Sequence, residues 1–96
     1  MPRPAIHPGE VLADELEELG VKPTQLARQV NVPANRITQI INGKRNITGD
    51  TALRLGHWFG TSAMFWLNLQ SAHDLRVAAL EVGKAIEKLP KRPVAA

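Results

Sequence analysis

The stretch over residues 24–45, TQLARQVNVPANRITQIINGKR, constrains this chain more than any other. Leu26, Ala27 and Val30 fall at i, i+1 and i+4, one face of a short helix. Ile37, Ile40 and Ile41 recur at i, i+3 and i+4, one face of a second helix. Pro23 suits the first turn of the first helix, where its missing N–H would have no partner anyway. Lys22 then stands at the N-cap and gives that start no side-chain cap. Pro33 opens the second helix in the same way, and Asn42-Gly43 closes it, with Gly43 free to turn left-handed. The three residues Asn31-Val32-Pro33 leave room for only a tight turn between them.

The positions left over on the second helix are Ala34, Asn35, Arg36, Thr38 and Gln39, short or hydrogen-bonding and none acidic. Asn and Gln can bond an adenine edge with two hydrogen bonds, Arg can do so with guanine, and Ala or Thr methyls can touch a thymine methyl. Asn35 and Gln39 are four apart and share a face. Residues 19–49 contain no Asp or Glu, while Lys22, Arg28, Arg36, Lys44 and Arg45 all lie within them. One sign of charge on a small surface suits a phosphate backbone. The overall charge of +3 and the pI near 9.8 are modest, so the placement carries the argument.

Around this stretch the chain reads as helices throughout. Residues 1–8, with Pro2, Pro4 and Pro8, read as an extended arm, whose Arg3 is more simply a solvated residue than a phosphate contact. Residues 9–19 form a first helix with Leu12, Leu16 and Leu19 inward and Glu10, Asp14, Glu15, Glu17 and Glu18 outward. Those carboxylates are a solvated face rather than an acid–base pair, and they belong away from DNA. Thr48 is placed to cap a helix over residues 49–59, with Asp50 at its positive start and Gly60 after its end. Ser62 caps a further helix over residues 63–70, apolar nearly all round. Such a helix needs cover on every side. Phe65, Trp66 and Leu69 are therefore candidates shared between the core and a dimer interface. Leu75, Ala78, Ala79, Val82, Ile86 and Leu89 mark a last helix over residues 74–89, either separate or continuous with the one before. Residues 90–96 read as a disordered tail.

The chemistry of an enzyme is missing from this pattern. His7, His57 and His73 lack metal-ligand spacing, and no metal or cofactor is expected. There is no cysteine, no glycine-rich phosphate loop after a strand, and no predicted strand. No apolar run approaches the roughly 20 residues of a membrane span, and the start lacks a signal-peptide core. The chain reads as a cytoplasmic, non-enzymatic protein.

The motif TQLARQVNVPANRITQIINGK resembles the helix-turn-helix of the phage-repressor (Xre-like, lambda-repressor-like) family, through Leu26-Ala27, Val30, Val32, Ile37 and Asn42-Gly43-Lys44. HPGEVLADELEELG and ITGDTALRLGHWFGTSAMFWLNLQSAHDL extend the likeness to the HigA-type (VapI-like) antitoxins, over residues 7–77. Two departures stand out. Pro23 replaces a glutamine that often contacts phosphate in phage repressors, and Ala34 replaces another common base reader.

The expected architecture is an all-α bundle of five or six helices. It comprises an arm (1–8), a DNA-binding domain with C-terminal dimerisation helices (9–89, motif 24–43) and the tail. Ala34, Asn35, Arg36, Thr38 and Gln39 are expected at base edges, and Thr24, Arg28, Asn42, Lys44 and Arg45 at phosphates. The expected DNA is a double-stranded inverted repeat bound by a homodimer. The resemblance further implies repression of its own operon and neutralisation of a HigB-type mRNA-cleaving toxin. The acidic first helix offers the only visible surface for a basic partner. A stand-alone Xre-type repressor with no toxin is the rival reading.

Overall fold

The computed structural model describes residues 5–94. Among them are five helices and no strand: α1 (Pro8–Leu19), α2 (Pro23–Gln29), α3 (Ala34–Ile41), α4 (Gly49–Phe59) and α5 (Ala63–Glu87). Arg3 lies outside the described residues.

The first helix starts one residue earlier than the sequence suggested. Pro8 is its first residue and is buried, so the expected arm ends at His7. His7 is the N-cap. Its Nδ1 accepts the Gly9 N–H at 2.9 Å, and Glu10 Oε2 accepts the His7 N–H at 3.1 Å, a reciprocal capping box. At the other end Gly20 takes φ +67° and its N–H reaches back to the Glu17 carbonyl.

The pair α2 and α3 forms as the apolar spacing requires. Lys22 gives α2 no side-chain cap, and Pro33 stands at the α3 N-cap, one position before the first turn that was expected for it. In the turn between them Asn31 takes φ +59°, a left-handed conformation that its short polar side chain tolerates. The Val32 N–H then returns to the Ala27 carbonyl at 3.0 Å, which satisfies the end of α2. Gly43, at φ +74°, turns the chain off α3 as expected.

Leu12, Leu16, Leu26, Ala27, Ile37, Ile40, Ile47, Ala52, Leu55 and Trp66 form a single core drawn from all five helices and the loop after α3. Leu19, expected inside, is 56% exposed at the end of α1. Helix α1 crosses α3 at very close range. A Cβ on Gly9 would run into the Ile40 carbonyl oxygen and lie 2.9 Å from Ile41 Cα. Only glycine allows α3 to seat there.

Thr48 is the N-cap of α4 by its backbone, but its side chain makes no capping bond. Its hydroxyl lies 3.5 Å from that of Thr51 instead. Ser62 caps α5 as expected, accepting the Phe65 N–H at 3.1 Å. Of the two courses left open for the C-terminal segments, the continuous one is found. Ser71, Ala72 and His73 hold no breaker, so α5 runs unbroken for 25 residues, about 37 Å at 1.5 Å per residue. Its first half packs on α4. Its second half stands clear of the body, with Leu75, Leu80, Val82 and Ile86 all exposed. A compact chain of this length would have a radius of gyration of about 12–13 Å; here it is 16.9 Å. Beyond the helix, residues 91–94 have no regular structure and are exposed.

Candidate nucleic-acid interface

Helix α3 is only eight residues long, and its two faces have separate roles. Ile37 and Ile40 are fully buried, which fixes the helix against the core and turns the intervening positions outward. Ala34 and Asn35 are exposed; Arg36, Thr38 and Gln39 are half-buried. All five expected base-reading residues thus sit on one short helix.

Three of them are already engaged. The Thr38 hydroxyl donates within its own helix, 3.2 Å from the Asn35 carbonyl and 3.4 Å from that of Ala34. Gln39 Oε1 accepts from Arg45 Nε at 2.8 Å, so an expected base reader and an expected phosphate contact hold each other. Arg36 Nη1 donates to Asp50 Oδ2 at 2.9 Å, across to the first turn of α4. The Asn35 side chain makes no hydrogen bond among the described residues, and Ala34 has no polar group beyond its backbone.

The expected phosphate residues surround this helix. Thr24 and Arg28 are exposed on α2, and Asn42 is the C-cap of α3. Lys44 and Arg45 follow in the loop, where the Lys44 N–H bonds the Gln39 carbonyl at 2.8 Å and so orients the turn. Arg28 and Lys44 make no ion pair among the described residues, leaving both ammonium and guanidinium groups available to an anion.

Two contributors were not foreseen. Asp50 was read only as a favourable charge at a helix start. Its Oδ2 accepts from Arg36 and, at 3.0 Å, from Arg54 Nε. The Arg54 hydrogen bond, ahead of the charges of both arginines, holds the Asp50 carboxyl below its ordinary range, so it stays ionised. Arg54 Nη1 in turn donates to the Val30 carbonyl at 2.7 Å, tying α4 to the turn between α2 and α3. Gln70 is the second. It is 5% exposed, and its Oε1 accepts the Ile47 N–H at 2.7 Å, pinning the loop that carries Lys44 and Arg45 onto α5. Neither link has a sequence signature, because the partners lie 14 and 23 residues apart.

Of the three dimer candidates, Trp66 is 1% exposed and packs on Phe59 and Phe65, with ring centroids 5.1 Å away in each case. It belongs to the core of the single chain and has no surface to share, which corrects its assignment. Phe65 is 43% exposed and Leu69 is half-buried. At 100° per residue, Leu75, Ala79, Val82 and Ile86 form a stripe on the side of α5 opposite Trp66 and Gln70. The acidic residues of α1 (Asp14, Glu15, Glu17 and Glu18) are exposed, as expected. No helix among the described residues is long and apolar enough to cross a membrane.

Comparison with known proteins agrees with this geometry. Residues 12–65, from α1 into α5, match the family model described as Helix-turn-helix. The solved addiction module antidote protein of the HigA family from Coxiella burnetii superposes with a TM-score of 0.91 at 50% identity. The match covers 95% of this chain and 100% of that one. The chain belongs to the HigA family of helix-turn-helix proteins. Another member, the Pseudomonas aeruginosa antitoxin HigA solved with the higBA promoter, gives a TM-score of 0.88 at 44% identity over 94% of this chain and 99% of its own. Virulence-associated protein I of Dichelobacter nodosus is 49% identical over 76 residues, 78% of this chain and 70% of that protein. The HigA likeness spans α5 as well as the helix-turn-helix, so the long terminal helix is a feature of the shared fold.

Proposed function

We propose that this HigA-family protein is a DNA-binding antitoxin that represses its own operon as a symmetric dimer and neutralises a HigB-type mRNA-cleaving toxin. The observation that carries the DNA reading is α3 itself: an outward face of Ala34, Asn35, Arg36, Thr38 and Gln39, ringed by cations. The promoter-bound state of the Pseudomonas aeruginosa relative supports it. Asn35, Arg36 and Gln39 read base edges in the major groove, with Ala34 and Thr38 against apolar base surface. Thr24, Arg28, Asn42, Lys44 and Arg45 hold the backbone and set the register.

A single recognition helix reads too few base pairs for high selectivity. The stripe Leu75, Ala79, Val82 and Ile86, unpartnered within one chain, is the surface through which two copies join, and Phe65 and Leu69 remain further interface candidates nearer the body. Two recognition helices then meet successive major grooves roughly 34 Å apart on an inverted repeat. We read the protein as cytoplasmic, where its DNA target would lie, and this role calls for no metal, cofactor or catalytic group. The carboxylate face of α1 is the surface for the basic toxin.

The decisive test is a mobility-shift titration on the DNA upstream of its own gene, across salt concentrations, with a scrambled competitor. Selective, salt-dependent binding at two protomers per site is expected. Equal binding to the scrambled duplex removes the repressor reading. Co-expression with the neighbouring reading frame tests the toxin: rescue of growth supports the antitoxin role, and failure leaves a stand-alone repressor.

A further inference from the structure

Between Glu18 and Asp74 the chain contains one acidic residue, Asp50. A carboxylate beside a DNA-binding helix repels the phosphates around it, so its position there calls for a compensating role. It sits in the first turn of α4, and one oxygen, Oδ2, accepts from both Arg36 Nη1 and Arg54 Nε. Arg54 is itself anchored on the Val30 carbonyl. The chain of bonds therefore runs from the recognition helix to α4 and back to the turn of the same motif.

We propose that Asp50 is a specificity-determining positioning residue, which holds the Arg36 guanidinium toward a base edge and away from neighbouring phosphates. The inference rests on the DNA-binding reading above. A free arginine has four rotatable side-chain bonds and finds a phosphate as readily as a guanine. Arg36 has only 29% of its side chain exposed and is tethered at Nη1, which removes most of those choices. The guanidinium has five N–H donors, so the tether leaves four, enough for the paired bonds to guanine O6 and N7. Asp50 costs affinity for every duplex through its charge and returns selectivity through Arg36.

The experiment compares wild type, Asp50→Asn, Arg36→Ala and the double variant on the upstream DNA and on a scrambled duplex. Wild-type preference for the upstream DNA is the precondition. Its absence overturns the function, whereas its presence with no effect of Asp50→Asn overturns only this inference. Asp50→Asn is expected to lower the ratio of the two affinities by at least about fivefold, while binding to the scrambled duplex holds or rises. In the Arg36→Ala background the same substitution should leave the ratio unchanged. An equal gain on both duplexes, with the ratio intact, makes Asp50 a bulk charge and overturns the proposal. The same loss of ratio without Arg36 makes it a stabiliser of the α4 start, which also overturns it. Should Asp50→Asn fail to fold, Asp50→Ser carries the same readout, since serine is well suited to a helix start.

Discussion

Replacing Gln70 with methionine removes the hydrogen bond on which the DNA-side loop depends, together with the bond from Gln70 to Asp74. The buried Ile47 N–H donates to Gln70 Oε1 at 2.7 Å, and Gln70 Nε2 is fixed by Asp74 Oδ1 at 2.9 Å. Methionine has similar length and flexibility, so Gln70→Met opens little cavity. The loss is the acceptor: Ile47 lies in the core at 3% exposure, and water cannot reach its N–H without local opening. An unpaired buried donor costs about 1–3 kcal/mol. A value of about 2 kcal/mol lowers the melting temperature by roughly 8–16 °C in a domain of this size. Urea and thermal unfolding at one fixed protein concentration would measure it, since self-association shifts apparent stability. Hydrogen exchange at the Ile47 amide supplies the local readout and should accelerate with the loss. Asp74→Ala, which removes only the bond from Gln70 to Asp74, is the matched control, and at this exposed position it should change stability by less than about 0.5 kcal/mol. A Gln70→Met protein as stable as wild type, with Ile47 still protected, would refute the argument.

Gly9→Ala should destabilise by about 3 kcal/mol, because the new Cβ meets the backbone of α3 rather than a movable side chain; unfolding titrations would show it. His7 caps α1 through an unprotonated Nδ1, and burial, then the nearby His73, lowers its pKa from the ordinary 6.5. The unfolded chain therefore binds the proton first, so this contribution is present at neutral pH and is lost as pH falls from 6.5 through the folded value. His7→Asn keeps a capping oxygen and should flatten that part of the stability–pH curve; an unchanged slope would remove His7 as its source. Val82→Glu charges the exposed stripe without touching the core. It should yield monomers in sedimentation and cost about a hundredfold or more in operator affinity.

The helical architecture was legible because it rests on local rules. Apolar spacing located α2 and α3, and glycines at residues 20, 43 and 60 marked the ends of helices through their left-handed backbones. The failures have one local cause and one tertiary cause. His7 and Pro8 looked like an arm because proline argues against helix, yet proline is welcome at a first helical position and a histidine can accept the capping bond. Trp66 looked like interface because the segment around it is apolar on all sides; which side is covered depends on how α4 packs, and periodicity is blind to that. The candidate site was legible as a set of side chains on α3 and its flanks. Its internal bonds, Arg36 to Asp50 and Ile47 to Gln70, arise only after distant helices meet.

The unbroken course of α5 has a consequence for how this protein could change over time. Its body end is locked to the recognition loop through Gln70, and its free end carries the stripe. Each residue inserted between them would turn the stripe by 100° and advance it about 1.5 Å. Single insertions would thus point the two reading heads in unrelated directions, while an insertion of seven would nearly restore their phase about 10 Å farther out. If two copies join through that stripe, the rod is a ruler with few permitted settings for the distance and angle between their reading heads.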